Sequence, residues 1–201
     1  MKIIKVPYGD LSERQLDSIV ERLRAGEIII RPTDTLYGIA CDALNVGAIE
    51  RVCSLKHINP QKTNLSIACS SISQASEYAR IDDMGFQMLR RYTPGPFTFL
   101  FPASSTLPRT FKGRKVVGIR IPDCHLDIAI AQRLGNPLLT TSIEYADDDY
   151  AITPELISES YHDKVDIIIE GPDGRTEPST IIDCRSSEGP EIVRQGIGII
   201  D

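Results

Sequence analysis

Reactive side chains in this sequence gather where apolar runs stop. In EIIIRPTDTLYG, residues 27–38, a β-branched run gives way to Thr33, Asp34, Thr35 and Tyr37. Ligands in open α/β sheets bind beyond strand ends, so this loop is a candidate binding element. The competing reading is a turn whose side chains hydrogen-bond their own backbone. VVGIRIP sets Arg120 inside an otherwise apolar run, and EIVRQG has the same look around Arg194. A charge placed there must reach solvent or a specific anion, and the planar guanidinium fork suits carboxylate or phosphate. Lys56 closes the helical pattern VGAIERVCSLK, where the helix dipole alone favours a cation. A last cluster, TTSIEYADDD at 140–149, joins the hydroxyls of Thr140, Thr141 and Ser142 to Glu144. The three acids that follow, Asp147, Asp148 and Asp149, are expected as a solvated loop.

The elements that must carry these residues follow from periodicity. A short strand, KIIKV, precedes SERQLDSIVERLRAG, in which Leu16, Ile19, Val20 and Leu23 make one apolar face, Ser12 and Gln15 a capping box, and Gly26 the stop. EIIIR, IACDA, LSIACS, FTFLFPA, VVGIRI, PLLTTSI, VDIIIE, STIIDC and EIVRQ read as strands. Helices are expected behind Asn45, near 73–79, near 83–92, over HLDIAIAQRL to Gly135, and over ELISESYH with Thr153 and Pro154 as N-cap and N1. TPGP makes a rigid turn, and PRTFKGRK a basic loop. Strands alternate with helices until the end, where successive strands imply antiparallel pairs. The expected fold is one α/β domain around a twisted, mixed, open sheet, with no linker or repeat dividing it.

Composition excludes several function classes. No P-loop, strand-borne GxGxxG or GxSxG elbow is present. The five cysteines and three histidines are too dispersed for a CxxC, an HExxH or a disulfide framework, so no metal ligands from the protein are expected. No segment approaches the ~20 apolar residues of a membrane span, and a soluble, cytoplasmic protein is expected. The net charge of −6 hides an asymmetry: residues 80–133 carry nine basic against four acidic side chains, and 144–201 carry four against fifteen. A cationic middle in an acidic chain suits an anionic ligand held in a local pocket.

RPTDTLYGIACDA, SLK, TPGPFTFLF, VGIRIPD, PLLTTS, PSTIID and VRQG, in this order, resemble the YrdC/Sua5/YciO family over about residues 10–198, most closely its YciO branch. The resemblance implies a single YrdC-like domain over 1–201, without the C-terminal domain of longer Sua5 proteins, and a large cationic cavity. The family's enzymes are threonylcarbamoyl-AMP synthases. They turn L-threonine, bicarbonate and ATP into threonylcarbamoyl-adenylate and pyrophosphate on the way to the t6A modification of tRNA. ATP with Mg²⁺ is then the substrate complex, and no organic cofactor is implied. Members have also been described as binders of double-stranded RNA. With the basic residues Arg109, Lys112, Arg114, Lys115 and Arg120, that supports the alternative of a non-catalytic nucleotide- or RNA-binding module.

The synthase reaction crowds bicarbonate, an amino-acid carboxylate and a triphosphate together, so Lys, Arg, backbone N–H groups and Mg²⁺ must offset their repulsion. Carried over residue by residue, the resemblance gives Thr35, Arg120, Thr140 and Ser179 to threonine, and Lys56, Lys62, Ser142 and Arg194 to the nucleotide. Lys56 and Ser142 are the catalytic candidates. Two positions depart from the synthases' Lys, Arg, Ser, Asn tetrad: Ile58 stands for the Arg and Glu144 for the Asn. A lost fork contact is worth on the order of 1.5–3 kcal/mol. Lys62 is the candidate for a substitute charge, Glu144 adds a like charge beside the nucleotide, and a weak or altered activity is expected.

Overall fold

The computed structural model describes residues 1–6, 10–113, 115–145 and 147–200. β1 (Lys2–Lys5) leads to α1 (Glu13–Arg24), whose start is the expected capping box: the Ser12 hydroxyl accepts from the Gln15 N–H, and the Gln15 side chain accepts from the Ser12 N–H. Gly26 follows the cap at φ +90°, a left-handed conformation that costs glycine little. β2 (Ile29–Arg31) and β3 (Gly38–Asp42) flank the TDT loop. α2 (Val46–Leu55) begins at Asn45, whose side-chain oxygen accepts from the Ala48 N–H, and ends on Lys56 as its C-cap.

β4 (Leu65–Ala68), α3 (Ile72–Tyr78), α4 (Asp83–Tyr92), β5 (Phe97–Pro102) and β6 (Val116–Arg120) come next. α5 (His125–Leu134) ends on left-handed Gly135, and β7 (Leu138–Ser142) follows. The chain continues through α6 (Asp148–Ile152), α7 (Pro154–Ser160), β8 (Ile167–Glu170), β9 (Thr180–Asp183) and β10 (Glu191–Arg194).

Two stretches differ from expectation. The basic loop contains a turn of 3₁₀ helix, Arg109–Lys112, while Arg114 lies outside the described residues. The acidic run is not plain loop: the Asp147 carboxylate accepts from the Tyr150 N–H as N-cap of α6, and Asp148 and Asp149 fill its first turn, where the positive end of the helix favours them. All three remain exposed.

Among the described residues the strands form one ten-stranded sheet in the order β1-β8-β2-β3-β7-β4-β6-β5-β9-β10. It is mixed, as expected. β8 runs parallel to β1 and β2, β4 to β6, and β5 to β9, and the other neighbours are antiparallel. The expected antiparallel pairing of the last strands holds for β9 with β10. β8 instead joins the far side of the sheet, because its continuous apolar run suits a strand covered on both faces.

That cover is visible in the alternation along β8. Ile167 and Ile169 pack with Leu23 of α1 and Ile130 of α5, whereas Ile168 packs with Ile49 and Val52 of α2. α1 is also pinned to α5 by polar contacts, since Arg24 Nη2 donates to the Arg133 and Leu134 carbonyls at 3.3 and 3.2 Å, and Arg133 pairs with Glu13 and Asp17. The five cysteines are unpaired. Among the described residues no helix is long and apolar enough to cross a membrane.

Candidate functional site

A cavity of about 260 Å³ lies against the central strands β7, β4, β6 and β5. Arg120 is the last residue of β6, Thr140 is the middle and Ser142 the last residue of β7, Ser179 immediately precedes β9, and Arg194 ends β10. All five line the cavity. The register accounts for their meeting: Thr140 stands opposite Ala40 of β3 and Ser66 of β4, and Ala68 stands opposite Arg120. Side chains far apart in sequence are thus delivered to one place by strand pairing. Cys53, Ile58, Thr63 and Asn64 complete one wall. Burial holds the Cys53 thiol above its ordinary range, so that wall offers an inert thiol rather than a thiolate.

Arg120 is buried, and its Nη2 donates to Asp34 Oδ1 at 2.6 Å and to Thr35 Oγ1 at 3.3 Å. The second Asp34 oxygen accepts from the Asp123 N–H at 3.0 Å. Arg120 Nε is buried with no partner among the described residues. The TDT loop behind it supports itself. Thr33 Oγ1 accepts from the Thr35 N–H at 3.0 Å and donates to the Leu36 carbonyl at 2.7 Å. With that proton committed, the 3.2 Å contact between the two threonine hydroxyls has Thr35 as donor. The turn reading and the site reading therefore describe the same loop: Thr33 satisfies backbone, and Thr35, itself buried, braces Arg120.

At the other end of the cavity Ser179 Oγ stands 2.9 Å from Thr98 Oγ1 and accepts from Arg194 Nη2 at 3.3 Å, while the Ser179 carbonyl accepts from the same Nη2 at 2.7 Å. Desolvation, and then the charge of Arg120, pull the Arg194 pKa below its ordinary value. β10 is exposed along its whole length, so Arg194 lies on an edge strand at the rim rather than inside an apolar one.

Beneath Thr140 lies a charge pair that sequence reasoning missed. Arg31 is fully buried; it forks onto Asp127, with Nη2 to Oδ2 at 3.1 Å, and the same Nη2 donates to Thr140 Oγ1 at 3.2 Å. Burial pushes the Asp127 carboxyl up, and the guanidinium of Arg31 pulls against that shift. The signal used for Arg120 was available here too. Arg31 closes the apolar run EIIIR, and Asp127 is a lone acid in HLDIAIAQRL. Asp34 belonged to the candidate loop without its partner being readable, and Thr98, Ser66 and Asn64 carried no signal beyond being polar.

Lys56 lies outside the cavity lining. Its side chain is nearly buried, and Nζ stands 2.9 Å from Glu144 Oε1, whose own side chain is 65% exposed. Glu144 borders a separate depression of about 530 Å³ with His57, Tyr145 and Lys164. Ile58 does face the cavity and packs against the core behind it. Lys62 is exposed, one residue before the cavity-lining Thr63.

Comparison with known proteins adds the context for this geometry. The Sua5/YciO/YrdC family profile, described as "Telomere recombination", matches residues 21–196. The chain is 31% identical to the uncharacterized protein YciO of Escherichia coli K12 over 92% of this chain and 91% of that one. It is 28% identical to a threonylcarbamoyl-AMP synthase of Vibrio vulnificus over 90% of this chain and 98% of that one. The crystal structure of E. coli YciO superimposes with a TM-score of 0.90 at 29% identity, covering 99% and 98% of the two chains. P. abyssi Sua5 complexed with L-threonine superimposes with a TM-score of 0.87 at 25% identity, over 98% of this chain and 58% of that one.

Proposed function

The chain belongs to the Sua5/YciO/YrdC family, and from that premise we propose that it is an ATP-dependent enzyme of the threonylcarbamoyl-AMP synthase type. L-threonine and bicarbonate condense to the carbamate with loss of water, a carbamate oxygen attacks the α-phosphorus of ATP, and the bond to pyrophosphate breaks as the leaving group departs.

One observation carries the reading: Arg120, Thr140, Ser142, Ser179 and Arg194 line a single cavity although they are carried by four different strands or the residue beside one. In this reading Arg120 receives the threonine carboxylate while Asp34 and Thr35 hold its guanidinium still. Thr140 and Ser179 orient the amino acid, and Ser142 and Arg194 meet the nucleotide. ATP enters as its Mg²⁺ complex. Lys56 reaches a phosphate only by leaving Glu144, and Ile58 supplies no charge, so turnover is slow relative to a chain with the full tetrad.

Purified protein given L-threonine, bicarbonate, ATP and Mg²⁺ releases pyrophosphate in a threonine-dependent manner, and Arg120→Ala abolishes the release. Pyrophosphate release that ignores threonine would remove the reading.

A further inference from the structure

Thr140 has one hydroxyl proton, and the fold fixes where that proton cannot go. Arg31 Nη2 donates to Thr140 Oγ1 at 3.2 Å, and a guanidinium has no acceptor to offer in return. Among the described residues no protein group accepts from the Thr140 hydroxyl. Thr140 is 6% exposed and lines the cavity, so the remaining direction for its O–H is into the cavity. Arg31 cannot swing away. It is fully buried, Asp127 grips it through two oxygens, and Asp127 sits in the first turn of α5, where the helix dipole supports a carboxylate. Thr140 is fixed as well, being paired in register on both sides of β7.

We infer that Arg31 is a positioning residue that sets Thr140 as a hydrogen-bond donor into the cavity, which favours a ligand that presents an acceptor oxygen there (carboxylate, carbonyl or phosphate). A guanidinium donating from behind the hydroxyl polarises its O–H outward, which strengthens its bond to an acceptor in front of it. The inference rests on reading this cavity as the substrate site and adds to it a selectivity determinant that makes no contact with the ligand itself.

The test is a binding cycle read by calorimetry, with L-threonine as the probe and then AMP and inorganic phosphate. The proteins are the wild type, Thr140→Val, Thr140→Ser, the paired replacement Arg31→Met with Asp127→Leu, and that pair combined with Thr140→Val. Thr140→Val weakens binding by about fivefold or more, Thr140→Ser stays within about threefold of wild type, and the paired replacement loses about threefold or more. The combined variant binds no worse than Thr140→Val, because the two changes remove one interaction.

The inference is overturned if the paired replacement, melting as a folded protein, binds like wild type, or if its loss multiplies with that of Thr140→Val. Should the pair fail to fold, Arg31→Lys keeps the charge without the fork, and the same coupling to Thr140 is expected or the inference falls. Wild-type binding of threonine without pyrophosphate release sinks the synthase reading alone. Absence of wild-type binding to all three probes removes Thr140 as a ligand donor.

Discussion

Lys56 Nζ stands 2.9 Å from Glu144 Oε1, one partner almost buried and the other 65% exposed. A pair with so open a partner contributes at most about 1 kcal/mol, or roughly fivefold, so it detains the ammonium without locking it. Glu144→Gln keeps the shape and removes the anion. The expected result is a two- to fivefold gain in apparent ATP affinity, of the order of that pair's worth, measured as the KM for ATP in pyrophosphate release, with the KM for threonine unchanged. A gain confined to threonine would place Lys56 elsewhere in the reaction.

Ile58 faces the cavity at the position where the family resemblance leads one to expect a guanidinium. Ile58→Arg puts a fork donor beside Thr63 and Asn64, and a charge-assisted contact there is worth roughly tenfold to a hundredfold. The increase is expected in kcat/KM for ATP and is largest together with Glu144→Gln, because the two charges act on the same anion. Ile58→Val, which adds no charge, gives no increase.

The two departures also show what could be read before the fold was known. Caps and periodicity placed α1, α2 and α5, because local chemistry decides those ends: Ser12 with Gln15, Asn45, and left-handed Gly135. The meeting of Thr140 with Arg31 and of Ser179 with Thr98 depends on strand order and register, which no local pattern encodes. Lys56 was legible as the end of α2, but the ion pair it makes was not. Glu144 lies far along the chain, and only the antiparallel run of β7 against β3 and β4 brings its loop to the end of α2.

The Arg31–Asp127 pair makes a stability prediction separate from function. Asp127→Asn leaves a fully buried guanidinium without its counter-charge, and losses of about 3–5 kcal/mol are expected. Replacing both members, with Arg31→Met and Asp127→Leu, removes both desolvation costs and is expected to be nearly neutral or stabilising. Denaturant melts of the three proteins decide it; a single Asp127→Asn variant as stable as wild type contradicts the burial argument.

At the β9 end, Arg185 hydrogen-bonds the Asp183 carboxylate and holds it below its ordinary range. A carboxyl whose folded pKa is depressed adds stability that is present above its unfolded value of about 3.9 and is lost as pH falls through the lower folded value. Asp183→Asn is therefore expected to lower the melting temperature at neutral pH, by the equivalent of about 1 kcal/mol or less, and to match wild type once the pH lies below both values. A difference that persists in strong acid assigns the effect to packing.

Gly196 follows the cavity residue Arg194 by two positions, and the chain passes close to Ser179 there. A Cβ on Gly196 would stand 2.2 Å from the Pro178 carbonyl oxygen and 2.6 Å from the Ser179 carbonyl carbon. Both are backbone atoms, so relief must come from moving strand rather than turning a side chain. The Gly196 N–H also donates to Thr180 Oγ1 at 3.0 Å, which in turn donates to the Gly198 carbonyl at 2.6 Å. This small network locks 178–180 against the last residues, and Ser179 holds the Arg194 guanidinium through its carbonyl. Gly196→Ala is thus expected to displace Ser179 and Arg194 together. On the proposed roles of Ser179 toward threonine and Arg194 toward the nucleotide, both KM values are then expected to rise, by about tenfold or more if each loses one charge-assisted contact. Ser179→Ala, which leaves the backbone in place, should raise the KM for threonine alone. If Gly196→Ala affects neither substrate while the protein stays folded, the edge strand β10 is a wall of the cavity and not part of its grip on the ligands.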